Sequence, residues 1–169
     1  MATARIELSS GEFFTLPDGK VPSIEVIAAS LSKQCRFTGH CRTFYSVAEH
    51  SVLCMLLAQE TGIADPLEGP LHDAHEALLG DMAAPWKPLI KGYGQQDVLL
   101  EQKLRDKFDV PRVLSHEAKL VDWYALFIEA WWLMPSKGED WEDPLNVRHK
   151  ALQLMQRTHW KVACLEPAQ

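Results

Sequence analysis

His72-Asp73-Ala74-His75-Glu76 places two imidazoles and two carboxylates in one short run. A neighbouring His and Asp can reach the same cation where the segment carrying them faces an internal space. Glu76 follows His72 by four residues and Asp73 by three, spacings that share one face of a helix. Imidazole mixed with carboxylate suits a mid-row divalent ion that keeps positions for water, in contrast to a closed thiolate zinc site. His50, one turn into a helix, and Asp122, on a long late helix, are the partners that two other elements offer. The expected metal ligands are therefore His50, His72, Asp73 and Asp122. The order His-x-x-His-Glu matches neither of the two zinc-protease patterns, His-Glu-x-x-His and His-x-x-Glu-His.

These residues need helices to hold them, and the sequence supplies the signals. Ser23 stands ahead of Ile24, Ile27, Ala28 and Leu31, which share a face. Ser46-Val47-Ala48-Glu49 is a capping box that starts a helix running to Thr61, with Gly62 as its stop. Further helices are expected over 70–79, with Pro70 in the first turn, over 96–108, and from Ser115 to Leu133. A last helix follows Pro144, from Leu145 to about Trp160. Ala83 to Pro88 reads as a loop or broken turn. The first 22 residues differ: Arg5 to Leu8 alternates, Ser10-Gly11 can turn, and Phe13 to Leu16 can return as a short hairpin or arm. The expectation is an all-α bundle of five to six helices in a single domain, 1–169, with its helical core over 23–160.

Composition narrows the function classes. The 169 residues suit one domain, and 17 basic against 23 acidic residues leave a net charge of −6. Such a chain is a poor binder of nucleic-acid backbone, since that affinity comes from Lys and Arg. No apolar run approaches the ~18 residues of a membrane span, and no signal peptide is evident. Cys35, Cys41, Cys54 and Cys164 lack zinc-ribbon spacing, and Cys54 reads as a buried thiol and not a ligand. A cytoplasmic setting is expected. Trp131 and Trp132 cannot both face one core, so one is expected to be exposed, with a homo-oligomer interface as the explanation.

The pattern of one His, then a His-Asp pair, then a distant Asp resembles the HD-domain phosphohydrolases. It runs here as Ser46-Val47-Ala48-Glu49-His50-Ser51, Leu71-His72-Asp73-Ala74-His75-Glu76 and Lys119-Leu120-Val121-Asp122, with Gly80-Asp81 and Pro85-x-Lys87 as flanking matches. The likeness covers about residues 24 to 135. Within that family the chain is similar to compact bacterial 5′-deoxynucleotidases and to phage-encoded members, some of which hydrolyse dATP. The stretch Arg36-Phe37-Thr38-Gly39-His40 looks especially like the phage members.

The resemblance implies a divalent metal (Mn, Co, Zn or Fe, with Mg possible in principle) that polarises a phosphoryl oxygen and acidifies water. It implies that Glu76 orients or deprotonates that water and that Asp81 protonates the leaving oxygen or braces its neighbours. Arg36 and Lys87, with Arg42 as a weaker third, would neutralise phosphate. Phe37 stands where the deoxynucleotidases carry a Trp that helps exclude ribose, so an aromatic is kept and an indole N–H lost. Gly69-Pro70 stands where family members have helix formers, which predicts a helix that begins late.

Several readings stay open. The substrate is a small nucleotide: a deoxynucleoside monophosphate first, a triphosphate as the alternative if Arg36, Arg42, Lys87 and Lys91 line a long channel. A degenerate module that senses a nucleotide is the reading from another class. A cyclic-nucleotide phosphodiesterase is disfavoured because one metal set is evident. Asp122 has Glu117 and Glu129 as rivals on its helix. His75 reads as outward-facing or as a support behind the ligands, and His40, His116, His149 and His159 as ordinary surface or packing residues.

Overall fold

The computed structural model describes residues 4–158. The N-terminal alternation does form a hairpin: β1 (Arg5–Glu7) pairs antiparallel with β2 (Phe13–Thr15), Ile6 opposite Phe14. Gly11 takes a left-handed φ of 83° in the turn, a conformation open to glycine at no steric cost. Phe14 points into the core and Phe13 outward.

The rest is helical: α1 (Ile24–Leu31), α2 (Val47–Thr61), α3 (Glu68–Leu71), α4 (Glu76–Leu79), α5 (Tyr93–Lys107), α6 (His116–Leu133) and α7 (Arg148–Thr158). Short 3-10 turns occupy Phe37–Gly39 and Ala84–Leu89. The capping box forms as read, since the Glu49 amide donates to Ser46 Oγ and the Ser46 amide to Glu49 Oε2. Gly62 closes α2 in the left-handed region. Ser115 caps α6 by accepting from the Ala118 amide.

One cap and three boundaries differ from the sequence reading. Ser23 sits at the start of α1, but its side chain makes no cap bond. Tyr93, not Gln96, opens α5. Asp143 takes the Val147 and Arg148 amides at 2.8 and 2.9 Å, so α7 starts at Arg148 and not at Leu145; its expected end near Trp160 lies outside the described residues. The helix expected over 70–79, with a late start after Gly69-Pro70, instead begins early, at Glu68, takes both residues in, and is split into α3 and α4. Between them the Ala74 amide bonds Leu71 O and the Glu76 amide bonds Asp73 O, a tighter i→i+3 pattern. That division makes seven helices among the described residues where five to six were expected.

Two apolar clusters meet along α2. Leu53, Cys54, Leu57 and Ala58 pack with Val121, Ala125 and Ile128 of α6 and with Ala151 and Leu154 of α7. Val47, one end of the same helix, packs instead with Phe14, Ile27, Leu31, Leu78, Leu100 and Leu104. His50 lies between the two sets. Neither Trp131 nor Trp132 is the exposed tryptophan that was expected: Lys137 Nζ covers the Trp131 ring at 4.6 Å, and Trp132 packs on the core. Trp86 is exposed in their place. Among the described residues no helix is long and apolar enough to cross a membrane.

The short α3 is held on both sides. Glu68, buried, accepts the amide and hydroxyl of Ser115 at the head of α6, with Arg105 of α5 at 3.9 Å. Gly69 lies against α2 so closely that a Cβ there would stand 3.1 Å from the Cys54 carbonyl carbon and the Met55 nitrogen. The sequence anomaly at Gly69 thus has a packing reason, because a side chain would drive α3 off the backbone of α2. Gly69→Ala is expected to destabilise the fold by about 1–3 kcal/mol, the usual cost of overpacking, measured as a fall in the urea midpoint at unchanged slope.

Candidate metal centre

The two histidines are fixed by their far nitrogens. Nδ1–H of His50, on α2, donates to Glu129 Oε1 at 2.7 Å, and both side chains are fully buried. Nδ1 of His72, just past α3, faces the Gly69 carbonyl. A carbonyl oxygen only accepts, so this ring carries its proton on Nδ1; the Glu129 carboxylate imposes the same tautomer on His50. In the neutral rings both Nε2 atoms therefore present lone pairs, and they face one another 3.2 Å apart.

Carboxylates complete the convergence. Asp122 Oδ1 lies 3.2 Å from His50 Nε2 and 3.5 Å from His72 Nε2. Asp73 Oδ2 lies 3.1 Å from His72 Nε2 and 3.6 Å from His50 Nε2. The four residues expected as ligands are thus brought together from α2, α6 and the turn between α3 and α4. The set that lies mutually within 4.8 Å, however, is His50, Cys54, His72 and Asp122. Cys54 enters because it follows His50 by one helical turn, which brings Sγ to 3.5 Å from Nε2. Asp73 leans aside, toward Arg36 NH1 at 3.6 Å. The buried-thiol reading of Cys54 holds for its exposure, 1%, and misses its place beside a candidate ligand. Such a group can hold a metal ion. Asp122, 38% exposed, is the side on which the cluster meets solvent.

The donor set fits a cation because, with no cation, lone pairs oppose lone pairs. Burial opposes charge on His50 most strongly and Arg36 adds to that, yet Cys54, Glu129 and Asp122 carry its imidazole well above the ordinary range. His72 is likewise raised, with burial outweighed by Asp73 and Asp122. Asp122 is held well below the usual carboxylate range: burial opposes this, and the two imidazoles prevail. Burial also works against Asp73, which His72 lowers.

Beside this centre lies a second network. Glu76 is buried; its Oε1 accepts from Lys87 Nζ at 3.1 Å and its Oε2 has no partner. Burial, then Asp73 and Asp81, push the Glu76 carboxyl up to about 7 against the pull of Lys87. The i→i+3 turn, and not the continuous helix first expected, stacks Asp73 near Glu76. Asp81 is raised by burial and Asp73, with Arg36 opposing. His75 is buried, not outward-facing, and its Nε2 meets Asp97 Oδ1 at 2.9 Å.

The substrate-facing residues are placed less uniformly. Arg36 turns inward, with NH2 3.2 Å from Glu129 Oε2, so it braces Glu129 and Asp73. Phe37 packs toward Trp141, ring centroids 5.8 Å apart. Arg42 is exposed; its backbone amide bonds Leu133 O, and its side chain is not among the groups within bonding distance of the cluster.

No family model matches the chain. Over 119 residues it is 40% identical to the uncharacterized protein YfdR of Escherichia coli K12. Over 128 residues it is 37% identical to an uncharacterized protein of Rhodobacter capsulatus. Each match takes in 70% of this chain and 65% of the relative, so the match spans less than two thirds of either relative's length.

Three participants escaped the sequence reading. Cys54 was findable from its i+4 spacing to His50. Glu129 was noticed only as a rival to Asp122, although its position seven residues further on the same helix gives it the same side. Asp97 carries no local signal, since its partner His75 is 22 residues away.

Two outcomes follow from the tautomers and charges. Adding a divalent ion to chelator-treated protein is expected to raise its melting temperature by about 5 °C or more at saturation. His72→Ala should abolish that shift in the same fluorimetric scan. Raised imidazoles also fix a sign: in the ion-free protein their contribution to stability is complete below the ordinary imidazole range and is lost as pH rises through the folded values. Ion binding at neutral pH must therefore release protons, seen calorimetrically as a binding enthalpy that changes with the ionisation enthalpy of the buffer.

Proposed function

We propose that this protein is a metal-dependent phosphohydrolase of small nucleotides, with a deoxynucleoside 5′-monophosphate as the first substrate. The observation that carries this reading is the convergence of His50 and His72 Nε2 with Asp122 and Asp73 oxygens directly beside a buried carboxyl, Glu76, poised near neutrality. The resemblance to HD-domain phosphohydrolases supplies the substrate class. A divalent ion held by these residues supplies the charge that polarises a phosphoryl oxygen and acidifies water.

The chain's own residues account for the remaining roles. Glu76 takes the proton of the attacking water on its unpartnered Oε2, while Lys87 fixes the carboxylate through Oε1. A base whose pKa lies near the operating pH is the efficient one. Asp81, raised from the ordinary range, is the group that can hold a proton for the leaving oxygen. Lys87, a quarter exposed, is the cation best able to turn toward phosphate. Two imidazoles with a carboxylate and an adjacent thiol favour zinc, iron, cobalt or manganese over magnesium, which prefers oxygen.

The monophosphate reading is preferred over a triphosphate one for a specific reason. Of the four cations considered for a long phosphate channel, Arg36 is bound inward and Arg42 and Lys91 are exposed. A short phosphate site is the better fit.

Incubating metal-loaded protein with deoxynucleoside mono- and triphosphates and resolving the products by anion exchange tests this. Free phosphate from monophosphates is expected. Intact triphosphate with free nucleoside would favour the alternative substrate, and no product with any divalent ion would leave nucleotide binding without turnover. Glu76→Gln is expected to lower kcat by about 10²–10⁴ while leaving the ion-dependent rise in melting temperature in place.

A further inference from the structure

Cys35 and Cys41 flank the turn that carries Arg36, and their Sγ atoms lie 3.5 Å apart. Neither belongs to the four-donor centre, and both are partly exposed free thiols. Their proximity is imposed by the backbone. Cys35 bridges to Ser46, the Arg36 amide bonds Tyr45 O, and on the far side the Arg42 amide bonds Leu133 O at the end of α6. Each cysteine is thereby anchored next to a fixed point of the core.

The segment between them is bent back on itself. Phe37, Thr38 and Gly39 take successive positive φ values of 56°, 54° and 77°, a region that side-chain-bearing residues rarely occupy unless the surroundings enforce it. The Gly39 amide bonds Arg36 O and Cys41 Sγ lies 3.8 Å from that same oxygen. Joining the two sulfurs requires an approach of about 1.5 Å, within reach of side-chain rotation.

We propose that Cys35 and Cys41 are a dithiol site for oxidation by a small-molecule disulfide, closing an internal bridge across the turn that presents Arg36. One cysteine thiolate attacks the disulfide R–S–S–R, forming a mixed disulfide and expelling RS⁻. The second thiolate attacks the protein sulfur of that mixed disulfide and expels the second RS⁻. Two cysteine S–H bonds are lost, one S–S bond forms, and the oxidant is reduced to two thiols. Burial and the adjacent Cys35 both raise the Cys41 thiol, so the reaction is expected to quicken with rising pH. The bridge would close the loop that holds residues 36–40, and Arg36, which reaches Asp73 and Glu129, would be tethered with it.

The full-length protein is to be treated with oxidised glutathione, alkylated, and mapped by peptide mass spectrometry. The expected result is loss of two hydrogens from the 35–41 peptide, with alkylation lost at both cysteines and restored by dithiothreitol. In C35S or C41S the remaining thiol should instead carry a glutathione adduct. Amide hydrogen exchange over residues 36–40 should slow by about tenfold in the oxidised protein, as expected when a cross-link suppresses local opening. Both thiols remaining alkylatable, a wild-type protein bearing two glutathione adducts, or a bridge to Cys54 or Cys164 would each overturn the assignment. A Cys35–Cys41 bridge that leaves the exchange of 36–40 unchanged would overturn the tethering of Arg36. None of these readouts depends on phosphohydrolase activity.

Discussion

Two imidazole lone pairs 3.2 Å apart, hemmed by two carboxylates, form an arrangement that only positive charge can satisfy. Protons can supply it, as the raised imidazoles show, or a metal ion can. Much of the surrounding structure enforces that confrontation. Glu129, on α6, and the Gly69 carbonyl, on α3, each hold one ring by its other nitrogen, so neither ring can rotate away without leaving a buried polar group unpaired. Such supporting partners set the basicity and direction of a ligand as much as the ligand itself does.

The fold delivers these partners through close packing of short pieces. His50 stands where α2 passes from one apolar cluster to the other, and its fully buried ring is held by Glu129. The division of α3 from α4 lets the chain turn more tightly than an α-helix, which sets Asp73 toward the histidines and leaves Glu76 beside Lys87. The charged network of Lys87, Glu76, His75 and Asp97 adjoins the centre, and Arg36 reaches it through Asp73 and Glu129.

How much of this was legible in the sequence differs by the range of the interaction. The capping box at Ser46 and the stop at Gly62 are local chemistry and match the sequence reading, whereas Ser23 makes no cap bond. The proximity of His50, His72 and Asp122 matches the order of helices together with the family resemblance, which alone set Asp122 above Glu117 and Glu129. The break of the 70–79 helix at residues 72–75 was not legible, and neither was the close approach of Gly69 to the backbone of α2, a tertiary contact that no pattern within the segment reveals. The inward turn of Arg36 was missed for a like reason, since its partner Glu129 lies on a helix far along the chain. Cys54 is the instructive case. Its burial follows from the apolar run around it, while its i+4 relation to His50 is the signal that assigns it to the site.

Glu68 ties the head of α6 to α3 through Ser115. The two helices that bear Asp122 and orient His72 are therefore strutted together at the head of α6, through a buried carboxylate. A strut fixes a span: the separation of the two segments is set when the chain folds, and only their side chains are left to adjust. An ion held there would be met by small rotations of the Asp73 and Asp122 carboxylates at the solvent edge, so the frame would act as a caliper with rigid jaws and adjustable tips.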